Sequence, residues 1–109
     1  MISNTEPLES EVKNAQDTER IDHLLEQAAN TVYSNPIEAE EKAQEALDLS
    51  KSINYIKGIG ISCQFIGTSF GLRGELRKAE EYTLKALEAL TEEEHPVIIA
   101  NLHHNLCNI

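Results

Sequence analysis

The sequence predicts an all-α protein built from antiparallel helix hairpins. Apolar residues recur every three to four positions along most of its 109 residues, the spacing that places them on one face of an α-helix. Aromatic residues make up only 5% of the chain and tryptophan is absent. A core must therefore be built from Ala, Leu and Ile, whose small side chains suit closely packed helices. A repeated segment supplies the third indication.

The repeat relates two segments at an offset of 40 residues, 38–47 and 78–87. Five positions are identical in the two segments: Ala39 and Ala79, Glu40 and Glu80, Glu41 and Glu81, Ala46 and Ala86, and Leu47 and Leu87. The same offset relates Ile59 to Ile99 and Ile66 to Leu106. Self-similarity at a period of this length is typical of stacked two-helix units.

The apolar stripes predict a short leading helix near 7–15 and then five longer helices. These are expected over 18–33, 36–51, 55–72, 75–90 and 96–109. Asn35 and Pro36 are typical of the cap and first residue of a helix, and Gly74 stands where a preceding helix must end. The turns are short, so successive helices should pack antiparallel. The chain then divides into an extension over 1–17, a hairpin over 18–52, a hairpin over 55–91 and the first helix of a third unit over 95–109.

Charge and composition exclude several classes of protein. The formal net charge is −10, from 19 acidic and 9 basic residues, which disfavours contact with nucleic acid or with an anionic membrane. The acidic surface serves solubility or faces a basic partner. No apolar run approaches the roughly 20 residues of a membrane-spanning helix, and the N-terminus lacks the pattern of a secretory signal. Cys63 and Cys107 do not form a disulfide framework, so a cytoplasmic location is expected.

The second unit resembles the tetratricopeptide (TPR) signature W-x2-L-G-x2-Y. Its four signature places are held here by Cys63, Ile66, Gly67 and Phe70; Gly74 fits the turn glycine, and the small-residue places of the second helix are held by Ala79, Thr83 and Ala86. Cys63 replaces Trp, and the period is 40 residues rather than about 34. In this the chain is similar to the variant found N-terminal in bacterial sensor kinases, nucleotide cyclases and transcription regulators. The resemblance covers residues 18 to 109.

The resemblance implies a right-handed superhelix, a TPR-like α-α solenoid of about two and a half repeats. In that family the first helix of each hairpin lines the concave surface. Placing the units in register gives the candidate groove residues Arg20, His23, Gln27, Ile61, Gln64, Thr68, Asn101, His104 and Asn108. Amide and imidazole groups can hydrogen-bond the backbone of an extended peptide. The alternative is a solvated polar face without a ligand.

The function that this resemblance implies is a protein–protein interaction scaffold, expected as the N-terminal sensory or regulatory region of a larger signalling protein. Its partner is a protein or peptide, which could be a downstream domain of the same protein. The alternative is a homo-oligomerisation element, in which residues 96–109 pair with a second copy through the exposed edge of the last helix.

The sequence does not predict an enzyme, a metal site or a bound cofactor. His103 and Cys107 lie four residues apart on one helical face, beside His104. Too few ligands are present there for a closed metal site, and packing explains these positions better. His23 could serve as a general base, as could His104, but no nucleophile motif accompanies either of them.

Overall fold

The computed structural model describes residues 9–91 and 94–107, and it describes side chains over 13–91 and 94–106. These residues form five α-helices and no strand, which confirms the all-α prediction. The helices are α1 (Glu9–Thr31), α2 (Pro36–Ser52), α3 (Ile56–Leu72), α4 (Leu76–Ala89) and α5 (Pro96–Cys107). Each helix packs against the next one along the chain, and α1 also packs against α3. The last four helices begin within one residue of their predicted starts.

The N-terminal helix differs from the prediction. Separate helices near 7–15 and 18–33 were expected, whereas Glu9–Thr31 is one continuous helix; positions 7 and 8 lie outside the described residues. No Gly or Pro interrupts 9–31, so nothing ends the helix at the predicted break. The Thr18 hydroxyl donates to the Asn14 carbonyl at 2.8 Å across that break.

The turns after α2 and α3 have the same construction, and this places successive helices antiparallel. Asn54 and Gly74 adopt positive φ values of 56° and 81°, the left-handed conformation that commonly closes a helix. The next amide then donates five residues back, from Tyr55 to the Ser50 carbonyl at 2.8 Å and from Glu75 to the Phe70 carbonyl at 2.9 Å. Each connection between these helices is therefore only three residues long.

The start of α2 is capped as the sequence predicts. The Asn35 side chain accepts a hydrogen bond from the Glu38 amide at 3.2 Å, and Pro36 is the first helical residue. The cap satisfies an amide that has no partner within the helix. It fixes where α2 begins and hence which of its residues face α1 and α3.

Burial follows the 40-residue repeat. Three equivalent pairs in α2 and α4 are buried: Ala39 with Ala79, Ala43 with Thr83, and Ala46 with Ala86. In α5, Ile99 and Leu102 are buried in the same core cluster as Leu90. The molecule is thus helical and repeat-like in its burial as well as in its sequence.

α3 and α4 pack closely at Gly67. A Cβ atom placed there would lie 3.0 Å from Thr83 Oγ1 and 3.3 Å from the Ala79 carbonyl oxygen. Only a glycine leaves this space, because both neighbouring atoms belong to a buried part of α4. The two helices therefore meet through small residues at this position.

Candidate functional site

A groove of about 220 Å³ lies among α1, α3 and α5. It is bounded by the last turn of α1 with the two residues after it, by the middle of α3 and by α5 from its middle onward. Its lining residues are Ala29, Val32, Tyr33, Gln64, Phe65, Thr68, Asn101, His104 and Asn105. Five of these nine side chains carry an amide, hydroxyl or imidazole group other than the tyrosine phenol. The groove can therefore both donate and accept hydrogen bonds.

Four of the predicted groove residues meet in this groove: Gln64, Thr68, Asn101 and His104. The Thr68 hydroxyl donates to the Gln64 carbonyl at 2.9 Å within α3, which holds that side chain against its own helix. Asn101 and His104 are exposed on α5, while Gln64 is half-buried. Two helices thus present an amide each to the same space.

Two further predicted residues do not contribute to the groove as described. Ile61 is half-buried and packs against the hydrophobic core between the helices. Asn108 lies outside the described residues. The α5 wall of the groove is therefore described by Asn101, His104 and Asn105.

The residues predicted on α1 lie on other sides of that helix. The Arg20 guanidinium binds the Glu45 carboxylate of α2. Gln27 lines a separate cleft with Lys42 of α2. His23 is exposed beside Gln27, and the Nε2 atoms of these two side chains are 3.3 Å apart. These three residues are not brought together with Gln64 and Thr68.

The rotation of α1 explains this difference. The Tyr55 hydroxyl, in the turn before α3, donates to the Asp22 carboxylate at 3.1 Å, which turns that side of α1 towards α3. At 100° per residue, Ala29 follows Asp22 on the same side of α1. Gln27 lies about 200° away from Ala29. The first unit has no L-G-x2-Y pattern that could have fixed its register in the sequence.

Sequence reasoning missed five of the nine groove residues: Ala29, Val32, Tyr33, Phe65 and Asn105. The Tyr33 side chain is 79% exposed, although a large aromatic ring normally loses most of its contact with water on folding. Asn105 follows Asn101 by four residues, so the stripe of polar residues on α5 was visible in the sequence. Tyr33 gave a weaker signal, because it precedes the Asn35 cap in a segment predicted as a helix end.

The polar groove continues into an apolar cleft of about 220 Å³ between α3 and α4. The two spaces share Tyr33, Thr68 and Asn105. Leu72 and Leu76 lie at the mouth of this apolar cleft, and nearly half of each side chain is exposed. The combined surface offers hydrogen-bonding groups at one end and apolar contact at the other.

Two further observations concern metal ligands and membrane-spanning helices. Within the part of the chain that the structure describes, no group of three or more His, Cys, Asp or Glu side chains could hold a metal ion. His103 is exposed there, whereas the side chain of Cys107 lies outside the description. None of the described helices is both long enough and apolar enough to cross a membrane.

Comparisons with known proteins supply no relative from which a role for the groove could be taken. No protein-family model matches the chain, and neither a curated protein nor a solved structure matches it. The tetratricopeptide resemblance rests on the residues quoted from the sequence and stays a prediction. The function has to be argued from the groove itself.

Proposed function

We propose that this chain is a protein-interaction scaffold that binds an extended peptide segment of a partner protein in the groove among α1, α3 and α5. One observation carries the proposal: the amides of Gln64 and Asn101 and the imidazole of His104 converge on one groove with the exposed ring of Tyr33. Amides can pair with both the N–H and the C=O groups of a peptide backbone. Tyrosine is among the residues that most often anchor protein interfaces.

The adjoining apolar cleft supports the same occupant. A peptide that lies along the polar groove reaches the space between α3 and α4 with the next side chains, where Leu72 and Leu76 are exposed. An apolar side chain placed there would remove these two leucines from water, at about 25 cal/mol per Å² of buried apolar surface. Hydrogen bonds in the polar groove would then set the direction in which the peptide lies, and burial of apolar surface in the cleft would contribute to the affinity for the peptide.

We further infer that the helices form a right-handed, TPR-like superhelix. The proposal is supported by three features: antiparallel neighbours joined by short turns, burial that repeats at 40 residues, and the close contact of Gly67 with α4. In such a stack the first helices of successive hairpins share one surface. The lining of the groove by α1, α3 and α5 agrees with that arrangement.

In a larger signalling protein, this chain would act as an N-terminal regulatory region. Its groove would bind either another protein or a segment of a downstream domain, and a shift between hairpins would pass the binding event to the output domain. This role rests on the family resemblance and on the groove alone. Groove variants should then change the output of the full-length protein in the same order in which they weaken peptide binding.

Selection from a random peptide library displayed on phage tests the binding proposal. Peptides that bind the wild-type chain should lose at least tenfold in affinity with Asn101→Ala or Tyr33→Ala, since truncating an interface anchor costs about 2 kcal/mol. Asp48→Ala, on the exposed face of α2, is the matched control and should leave affinity unchanged. The proposal would be contradicted if no peptide were selected. It would also be contradicted if the selected peptides bound both groove variants as tightly as the wild-type chain.

The second candidate function is self-association through the exposed edge of α5. The observation in its favour is Val97, whose side chain is 72% exposed. Asn101 and His104 follow it on the same side of α5 and are exposed and polar. A stable self-complementary interface usually has an apolar centre larger than one valine, so the peptide groove is the better supported proposal.

A further inference from the structure

A cleft of about 310 Å³ lies between α2 and α4, with α3 as its floor. It involves neither α1 nor α5 and is separate from the proposed peptide groove. Each of the three helices contributes residues at helical spacing to the lining. The floor is apolar: it consists of Ile59 and Cys63 of α3, with Leu47 of α2 beside them. Leu47 and Cys63 are each only 3% exposed.

Two lysines from different helices line this cleft, Lys51 in the last turn of α2 and Lys85 in α4. The Lys85 ammonium nitrogen lies 4.6 Å from the centre of the Tyr82 ring and 3.3 Å from a Glu81 carboxylate oxygen. The aromatic face and the carboxylate hold the Lys85 side chain over the cleft. The positive charge is thus positioned before any ligand arrives.

The positive charges of both lysines act on the Cys63 thiol at the floor of the cleft. Burial raises the pKa of the Cys63 thiol, and the ammonium groups of Lys85 and Lys51 act on it in the opposite direction. The two ammonium groups thus act on the thiol in the same direction, although the Glu81 carboxylate paired with Lys85 and the Glu88 carboxylate in the lining partly offset their charge. Lysines on two of the three helices that line the cleft can therefore attract an anion.

We infer that this cleft binds a small organic anion, a carboxylate carried on an aliphatic or aromatic body. The carboxylate is placed between Lys51 and Lys85, and the apolar body lies on Leu47 and Ile59. The volume is at the lower end of the range for ligand pockets, about 300 to 1,000 Å³, which suits a monocarboxylate of modest size. Glu88 also lines the cleft and opposes a second negative charge, so a dicarboxylate is disfavoured.

The test is a titration of the isotope-labelled chain with hexanoate, followed through the NMR signals of the Leu47 and Ile59 methyl groups. Hexan-1-ol and hexylammonium have the same apolar body without the negative charge. Hexanoate should shift these signals saturably and bind more tightly than either analogue. Lys51→Met and Lys85→Met keep an unbranched apolar side chain but remove the charge, and each should weaken hexanoate binding about three- to fivefold.

Two further variants distinguish a local site from a general charge effect. Glu88→Gln should strengthen hexanoate binding, because it removes the opposing carboxylate. Lys57→Met changes the net charge equally but lies exposed at the start of α3, outside the lining, and should have no effect. Equal affinity for hexanoate and hexan-1-ol, or an equal loss with Lys57→Met, would overturn the inference, as would an absence of saturable shifts.

Discussion

Two glycines one turn apart in α3 should respond in opposite ways to the same substitution. Gly67 faces α4, where an added Cβ atom would lie 3.0 Å from Thr83 Oγ1 and 3.3 Å from the Ala79 carbonyl oxygen. At Gly71 the nearest such neighbour is the Ala79 Cβ atom at 3.7 Å, an ordinary van der Waals contact. Both glycines are helical, so alanine improves the helix at each position. The difference between the two variants therefore isolates the helix–helix contact.

The magnitudes follow from these distances. Gly71→Ala should raise the free energy of unfolding by about 0.5–1 kcal/mol, since it restricts the unfolded chain and its added Cβ atom makes only an ordinary van der Waals contact. Gly67→Ala gains a similar amount but forces α3 and α4 apart, and overpacking of this kind costs about 1–3 kcal/mol. The two variants should differ by about 1–3 kcal/mol, with Gly67→Ala the less stable.

Urea unfolding followed by circular dichroism measures both variants against the wild-type chain. With a slope of about 1.5 kcal/mol per molar urea, a difference of 1.5 kcal/mol separates the two midpoints by about 1 M. Unchanged slopes would show that both variants unfold as the wild type does. If Gly67→Ala proved as stabilising as Gly71→Ala, α3 and α4 could not meet through small residues at this position, and the proposed TPR-like packing would lose its main structural support.

Three further predictions concern the core, pH and assembly. Leu102→Ala should lower the free energy of unfolding by about 2–5 kcal/mol, because the side chain is fully buried and its removal leaves a cavity. Thermal melting of the variant and of the wild-type chain measures this loss. Burial raises the pKa of the Cys63 thiol, and burial with the Asp22 carboxylate raises the pKa of Tyr55. The unfolded chain releases these protons at lower pH than the folded chain does, so stability should fall as pH rises above the ordinary thiol value of 9.0 and fall further above the ordinary tyrosine value of 10.0. The first fall should be smaller in Cys63→Ala and the second in Tyr55→Phe; the same pH dependence as wild type in urea titrations would contradict this. Sedimentation should show a monomer over a wide concentration range, and a dimer that Val97→Lys dissociates would favour self-association instead.

Helix positions were predictable because local chemistry sets them. Asn35 and Pro36 begin α2, and Gly74 closes the turn after α3, through backbone preferences that do not depend on the rest of the molecule. Thr18 shows the limit of this reasoning. A break was predicted near it from apolar spacing alone, yet no residue there is unfavourable enough to end a helix.

The candidate site was predictable where the repeat fixes the register and not elsewhere. Gln64 and His104 occupy equivalent positions of two units and meet in one groove. The face that α1 presents depends instead on a tertiary contact, the hydrogen bond between Tyr55 and Asp22, and no local pattern reveals it. Gln27 was therefore placed on the groove, although it lies on the side of α1 that faces α2.

The continuity of α1 has a consequence for hydrogen exchange. The Asp22 contact with Tyr55 lies just beyond the end of α2, so the turns of α1 that precede Asp22 project past this contact. Residues 13–16 are exposed, whereas Ile21 is fully buried. Amide protons should then exchange with solvent quickly in the first turns and slowly after Ile21, within one unbroken helix. A protease that requires local unfolding should cut the projecting turns long before it cuts the remainder of α1.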